Sequence, residues 1–129
     1  MERIGILGAG AFGTAMAAVA KRAGRDVTLW AYEADVADAI NAHHVNSTYL
    51  KDAPLDPAIR ATTDLGEVCT ADAVLVAVPS QHLRTVVSAA APHWRGGAPA
   101  MTGSTGVERT PCTLMADVVK ACLGPDAVV

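Results

Sequence analysis

The sequence predicts an α/β fold with a doubly wound, mainly parallel sheet, and three features support this prediction. Short apolar and β-branched runs, such as residues 3–7 and 73–78, are typical of strands that a parallel sheet buries on both faces. Alanine-rich segments that favour helix formation lie between these runs. The strand and helix signals alternate along the chain, which predicts right-handed βαβ units.

The first half of the chain contains two predicted strand–helix pairs. Residues 3–7 predict a strand, and residues 11–23 predict a helix that ends before Gly24. Residues 26–32 predict the second strand, and residues 34–42 predict a short helix with its acidic side chains on one side.

The middle of the chain begins with an irregular stretch over residues 43–58, where prolines argue for a loop. Residues 59–62 predict a short strand, and Asp64 has the spacing of a residue that caps a short helix. Residues 73–78 are the strongest strand signal of the chain, and Pro79 ends this strand.

The last part of the chain predicts two further strands and two helices. We expect Ser80 to cap a helix that runs to about Ala91. Residues 98–102 predict a strand, residues 111–123 a helix, and residues 127–129 the start of a sixth strand. We therefore expect residues 1–129 to form one domain that is truncated at its C-terminus.

Composition and charge exclude several classes of protein. The 129 residues suffice for one domain, and a composition with 51% hydrophobic and 18% charged residues excludes disorder. The net charge of −3 argues against a nucleic-acid partner, and no apolar run is long enough to span a membrane. Three cysteines without metal-ligand spacing and a start without a secretory signal favour a reducing cytoplasm.

A glycine-rich motif lies between the first predicted strand and the first predicted helix, where a dinucleotide-binding site requires it. Each glycine has a physical role: the first permits a tight turn, the second lets the backbone approach a pyrophosphate, and the third allows close packing of the helix. The N-terminus of the helix favours anions. A glycine-rich turn without a ligand is the alternative. The motif consists of Gly8, Ala9, Gly10, Ala11, Phe12 and Gly13.

The end of the second predicted strand contains the candidate contacts to the adenosine part of a dinucleotide. Glu33 is the only acid near the usual distance of about 20 residues from the glycines, where an acid binds the ribose. It could equally be a solvated residue at the start of the next helix. Tyr32 could contact adenine or cover the strand end. No Arg or Lys lies between Arg25 and Lys51, so the sequence slightly favours NAD over NADP.

Other candidate residues carry less information. Pro79 follows the fourth predicted strand, so it could contact the nicotinamide half or simply end the strand. His43 and His44 are adjacent in sequence and do not face one another on a helix, so we expect no metal site. No spacing in the chain indicates a nucleophile with its base, so we predict no catalytic residue from the motifs.

Five segments of the sequence resemble the N-terminal domain of bacterial NAD(P)-dependent glycerol-3-phosphate dehydrogenases, and the resemblance covers essentially the whole chain. The first segment extends the glycine motif, the second is a strand with a Leu-Trp ending, and the third is an Asn-x-x-Tyr-Leu element. The last two are an Ala-Asp pair followed by Val-Pro-Ser, and a Thr-Gly-Val-Glu run. These segments are residues 13–17, 27–30, 46–50, 71–80 and 105–108.

This resemblance implies a Rossmann-type domain that binds NAD or NADP. It implies hydride transfer between the cofactor and dihydroxyacetone phosphate or sn-glycerol 3-phosphate, at the entry to glycerophospholipid synthesis. It places cofactor contacts at Ala11, Phe12, Tyr32 and Tyr49. Thr105, followed by Gly106, stands where the family has a lysine that reaches both cofactor and substrate.

The resemblance also implies that catalysis needs a second domain. The family has a second, helical domain, absent from this chain, that supplies the catalytic lysine and most of the pocket for the phosphorylated substrate. We therefore expect the 129-residue chain alone to be inactive. The oligomeric state does not follow from the sequence.

Two other functions remain compatible with the motifs. One is a different oxidoreductase of the wider 6-phosphogluconate-dehydrogenase-like group, such as a ketopantoate or UDP-sugar enzyme. The other is a standalone dinucleotide-binding or sensing module without catalysis.

Overall fold

The computed structural model describes residues 2–50, 54–95, 98–102 and 115–123. Five strands and five α-helices alternate along these residues, with a short 3₁₀ turn after the fourth helix. The strands are β1 (Arg3–Leu7), β2 (Asp26–Trp30), β3 (Arg60–Thr62), β4 (Ala73–Val76) and β5 (Ala100–Thr102). The helices are α1 (Ala11–Arg22), α2 (Ala34–His43), α3 (Leu65–Cys69), α4 (Ser80–Ala90) and α5 (Met115–Leu123), and the 3₁₀ turn is Ala91–His93.

The strands form one parallel sheet in the order β3-β2-β1-β4-β5. Leu7 at the end of β1 pairs with Trp30 on one side and with Val76 on the other, so three strands end at the same level. The chain builds outward from β1 to β2 and β3, and then crosses back to place β4 on the other side of β1. This reversal creates a crevice at the carboxyl ends of β1 and β4, where doubly wound sheets bind their ligands.

Two apolar layers cover the two faces of the sheet. Alternate residues of the strands point to opposite faces, so Leu7 contributes to one layer and Ile6 to the other. The layer with Leu7 includes buried residues of α3, α4 and α5, whereas the layer with Ile6 includes buried residues of α1 and α2. Helices on both faces confirm the predicted doubly wound α/β architecture.

The observed elements agree with the predicted ones to within a few residues, apart from one cap. The prediction that Ser80 caps α4 is wrong, because Pro79 occupies the N-cap position and the helix begins at Ser80. Pro79 has φ −55° and ψ 142°, and its fixed φ suits this extended position before a helix. The predicted cap at Asp64 is confirmed, since its carboxylate accepts a hydrogen bond from the Gly66 N–H at 2.9 Å.

Some predicted elements cannot be compared with the fold. The start of the sixth strand at 127–129 and the first residues of the last helix, 111–114, lie outside the described residues. Within the described ranges, no helix combines the length and apolar character needed to cross a membrane.

Candidate functional site

A cleft of about 590 Å³ opens at the carboxyl ends of β1, β2 and β4. Its walls come from three strand ends and from the loop after α2, so residues far apart in sequence meet there. The lining residues are Gly8, Ala9, Gly10, Ala11, Phe12, Trp30, Ala31, Tyr32, Glu33, Val36, Tyr49, Ala77, Val78 and Pro79.

The glycine turn, residues 8–13, forms the floor of this cleft, and two of its glycines are required by close backbone contacts. Gly8 has φ +119°, and a Cβ there would lie 2.8 Å from the Ala77 carbonyl oxygen. A Cβ on Gly13 would lie only 1.9 Å from the Gly8 carbonyl oxygen. Gly13 therefore lets α1 begin directly against the turn, and it is not one of the residues that line the cleft.

Gly10 differs from these two glycines because the space around it is open. Among the described residues, apart from Gly10 itself and its two neighbours in the chain, no atom lies within 4 Å of the position that its Cβ would occupy. The internal packing of the described residues therefore does not require glycine here. This open space is what a ligand needs in order to approach the backbone closely.

Helix α1 points its N-terminus into the cleft without a side-chain cap. The first four backbone N–H groups of an α-helix have no acceptor within the helix, and the first turn of α1 contains no acidic residue. Ala11 and Phe12 begin the helix, and the Phe12 ring is half exposed beside the cleft. The partial positive charge of the helix N-terminus is therefore available to an anionic group.

Two tyrosines and one carboxylate surround the cleft beyond β2. Tyr32 is 84% exposed, and its ring makes an edge-to-face contact with the Trp30 ring, with the two ring centroids 6.3 Å apart. The Tyr49 hydroxyl donates a hydrogen bond to Glu33 Oε1 at 2.5 Å. This bond raises the pKa of the Tyr49 hydroxyl above its ordinary value, and the negative charges of Glu33 and Asp35 act in the same direction.

Asn46 connects the loop that carries Tyr49 to the glycine turn. Its side chain is fully buried, and its Nδ2 donates to the Ala9 carbonyl oxygen at 2.7 Å and to Thr14 Oγ1 at 2.8 Å. Its Oδ1 accepts from the Tyr49 N–H at 3.1 Å. The motif analysis did not assign a role to Asn46, because nothing local in the sequence reveals that it reaches residues 32 and 37 positions away.

The third wall of the cleft follows β4. The Ala77 N–H donates to the Leu7 carbonyl oxygen at 2.8 Å, which keeps this segment beside β1 after β4 has ended. Val78 and Pro79 then line the cleft on the side opposite Glu33, at the start of α4. Pro79 was predicted as a site residue, whereas Ala77 and Val78 were predicted only as the end of an apolar strand, which ends at Val76 in the structure.

The structure brings together nine of the residues that the sequence analysis selected for the site. Gly13 is not among the lining residues, and Thr105 and Gly106 lie outside the described residues. The described residues contain no group of three potential metal ligands. The nine cleft residues are Gly8, Ala9, Gly10, Ala11, Phe12, Tyr32, Glu33, Tyr49 and Pro79.

The parallel sheet and the glycine turn at its strand-order reversal define a Rossmann-type domain of the nucleotide-binding class. A family model described as the NAD-dependent glycerol-3-phosphate dehydrogenase N-terminus matches residues 3–129. The chain therefore belongs to the family of NAD-dependent glycerol-3-phosphate dehydrogenase N-terminal domains.

Individual relatives agree with this assignment. A glycerol-3-phosphate dehydrogenase [NAD(P)+] from Paramagnetospirillum magneticum is 54% identical over 121 residues, which are 94% of this chain and 44% of the relative. One from Maricaulis maris is 45% identical over 92% of this chain and 36% of its own length. The crystal structure of a glycerol-3-phosphate dehydrogenase from Coxiella burnetii superimposes with a TM-score of 0.87 at 34% identity, covering 95% of this chain and 38% of that one. The chain thus spans about 36% to 44% of the length of these relatives.

Proposed function

We propose that this chain binds a nicotinamide dinucleotide in the cleft at the carboxyl ends of β1, β2 and β4. The single observation that carries this proposal is the uncapped N-terminus of α1 above a glycine turn whose Gly10 faces open space. A pyrophosphate is the part of a dinucleotide that needs both a close backbone approach and unpaired N–H donors. The family membership and the names of the relatives support the same cofactor.

The two ends of the cleft suit the two halves of such a cofactor. Glu33 follows β2 and can accept hydrogen bonds from the hydroxyl groups of a ribose, which supports the adenosine half at this end. Tyr32 and Tyr49 offer aromatic rings beside it. Val78 and Pro79 border the other end, where they would contact the nicotinamide half. The carboxylate of Glu33 gives a slight preference for NAD over NADP, because a 2′-phosphate beside it would be repelled.

We further propose that the whole protein transfers hydride between this cofactor and dihydroxyacetone phosphate or sn-glycerol 3-phosphate, as a cytoplasmic enzyme of glycerophospholipid synthesis. The nicotinamide supplies or accepts the hydride when it is bound. The contribution of this chain is to hold the dinucleotide, whereas residues beyond this chain complete the pocket for the phosphorylated substrate. The names of the relatives and the free thiols of Cys69 and Cys122 support this proposal.

Thr105 and Gly106 would lie beside cofactor and substrate in this proposal. A threonine hydroxyl is uncharged and short, so it cannot pair with a phosphate or stabilise a developing alkoxide as a lysine ammonium can. Loss of one such contact typically lowers the rate by about a hundred- to a thousandfold. Oxidation of NADH with dihydroxyacetone phosphate, measured on the complete gene product with Thr105 and with Thr105→Lys, tests the position. Equal rates of the two proteins would show that position 105 does not have this role.

Isothermal titration calorimetry tests cofactor binding with the substitution Gly10→Val. The valine side chain would fill the open space that the pyrophosphate needs, so the Kd for NADH rises by at least about a hundredfold, or about 2.7 kcal/mol. Val19→Ala is the control, since Val19 lies on the same helix, is about half exposed and does not line the cleft. Equal affinity of the parent chain and the Gly10→Val chain would refute the proposed binding mode.

A further inference from the structure

We propose that Tyr49 is a specificity-determining residue, whose hydroxyl holds the Glu33 carboxylate in the position that selects a free ribose 2′-hydroxyl over a 2′-phosphate. This inference rests on the proposed binding of a nicotinamide dinucleotide. It assigns to a pair of side chains, and not to Glu33 alone, the choice between NADH and NADPH.

The position of Glu33 alone does not determine this choice. Glu33 occupies the N-cap position of α2, yet its side chain makes no capping hydrogen bond to the helix. A glutamate side chain without a partner has several accessible rotamers, and ordering it costs conformational entropy. A mobile carboxylate could therefore turn away from a 2′-phosphate and would discriminate weakly between the two cofactors.

The Tyr49 hydroxyl removes this freedom. It donates to Oε1 of Glu33 at 2.5 Å, so one carboxylate oxygen is already paired on the cleft side. A carboxylate has two oxygens that can each accept hydrogen bonds, and Oε2 remains for a ribose hydroxyl. The raised pKa of the Tyr49 hydroxyl agrees with this arrangement, because the phenol keeps its proton as the donor.

Tyr49 can hold Glu33 because the tyrosine backbone is itself fixed. The Tyr49 N–H donates to Asn46 Oδ1, and the buried Asn46 side chain also donates to the Ala9 carbonyl oxygen of the glycine turn. An isolated antiparallel β-bridge also joins Asn46 to Leu50. A chain of hydrogen bonds thus runs from the glycine turn through Asn46 and Tyr49 to Glu33, and links the pyrophosphate and ribose positions of the proposed site.

The charges around this pair favour the same selection. Asp35 lies close enough to raise the pKa of Tyr49, which adds a second negative charge near Glu33. The sequence contains no Arg or Lys between Arg25 and Lys51 that could pair with a 2′-phosphate at the end of β2. A cofactor with a 2′-phosphate would therefore meet a carboxylate that cannot move away.

The test measures the affinities of the 129-residue chain for NADH and NADPH by calorimetry, with four variants. Tyr49→Phe removes only the hydroxyl, Glu33→Ala removes the carboxylate, and the double variant removes both. Thr48→Val is the matched control, because it removes a hydroxyl from the exposed neighbour of Tyr49 in the same loop, and Thr48 does not line the cleft. In this control the two affinities, and therefore their ratio, stay those of the parent chain.

We expect the parent chain to bind NADH more tightly than NADPH. Tyr49→Phe lowers the ratio of the NADPH Kd to the NADH Kd by about five- to tenfold, the effect of one typical intramolecular hydrogen bond. Glu33→Ala lowers the ratio at least as much. In the Glu33→Ala background, Tyr49→Phe has no further effect on the ratio, because the hydroxyl acts through the carboxylate.

Three results would overturn the inference and leave cofactor binding intact. They are a parent chain that prefers NADPH, a Tyr49→Phe variant with an unchanged ratio, and a Tyr49→Phe effect that persists without Glu33. A parent chain that binds neither cofactor would instead refute the proposed function, and the inference with it. Urea unfolding of each variant checks that the substitutions leave the fold intact.

Discussion

The two edges of the sheet are built in opposite ways. At the amino edge, where the parallel strands begin, the Asp72 carboxylate accepts hydrogen bonds from the N–H groups of Glu2 and Arg3, each at 3.0 Å, and pairs with Arg95. At the carboxyl edge, α1 begins without a side-chain cap and three aromatic rings remain at least 44% exposed around the cleft.

This difference separates residues that stabilise the fold from residues that are available to a ligand. The amino edge satisfies its polar groups with side chains of the same domain, so no ligand is needed to complete it. The carboxyl edge leaves backbone donors and aromatic surface to a ligand, while the buried Asn46 side chain connects the glycine turn to the loop that carries Tyr49. Residues of the amino edge therefore contribute to folding, whereas those of the carboxyl edge divide into structural and ligand-binding positions.

The largest expected effect contrasts two glycines of the carboxyl edge. Gly13→Ala places a Cβ within 1.9 Å of the Gly8 carbonyl oxygen, so the turn and α1 must move apart. We expect the free energy of unfolding to fall by more than about 3 kcal/mol. Gly10→Ala places its Cβ in space that no other part of the described structure fills within 4 Å, and costs less than about 1 kcal/mol, the effect of a changed N-cap residue.

Urea unfolding measures both glycine variants. Similar losses for the two would contradict the division of this turn into a packed glycine and an open one. A large loss for Gly10→Ala would contradict the open space at this position.

The next effect concerns the hydrogen bonds of Asn46. Asn46→Ala leaves the buried Ala9 carbonyl and the partly buried Tyr49 N–H without this partner, so we expect the free energy of unfolding to fall by about 2 to 3 kcal/mol. Thr14→Val removes only one of the three bonds, with a loss of about 1 kcal/mol. Denaturation midpoints rank the variants, and an Asn46→Ala chain as stable as the parent would show that the loop is held by other contacts.

The smallest effect belongs to the amino edge and depends on pH. Hydrogen bonds from the backbone N–H groups of Arg3 and Glu2 lower the pKa of the Asp72 carboxyl, and Arg95 acts in the same direction. A lowered folded-state pKa stabilises the fold above the unfolded-state value of about 4, and this stabilisation disappears as the pH falls through the folded-state pKa. Asp72→Asn is therefore less stable than the parent at neutral pH, and the difference shrinks in acid.

Unfolding midpoints across the acidic range check this prediction. Asp26→Asn is the matched control on the same edge, since the Asp26 side chain is 81% exposed and lies 3.9 Å from the Lys21 ammonium. A difference between Asp72→Asn and the parent that stays constant with pH would exclude the carboxylate as its origin.

Most of the fold was predictable because its signals are local. Apolar runs and turn residues located all five described strands, and the spacing of 20 residues from Gly13 to Glu33 identified the carboxylate of the cleft. The cap of α4 was predicted wrongly, since Pro79 and Ser80 both suit the start of a helix and local preferences do not decide between them. Asn46 had no local signal for its role, because its partners Ala9 and Thr14 lie in an earlier element.

The sequence by itself determined the class of the domain and the glycine turn, because both follow from periodicity and from residues within one strand–turn–helix unit. Only the tertiary structure decided which glycine is packed and which is open, and that Tyr49 meets Glu33 across 16 positions. The physical reason is that these features depend on distances between elements. Such distances are set when the helices pack on the two faces of the sheet, and they produce no periodic pattern in the sequence.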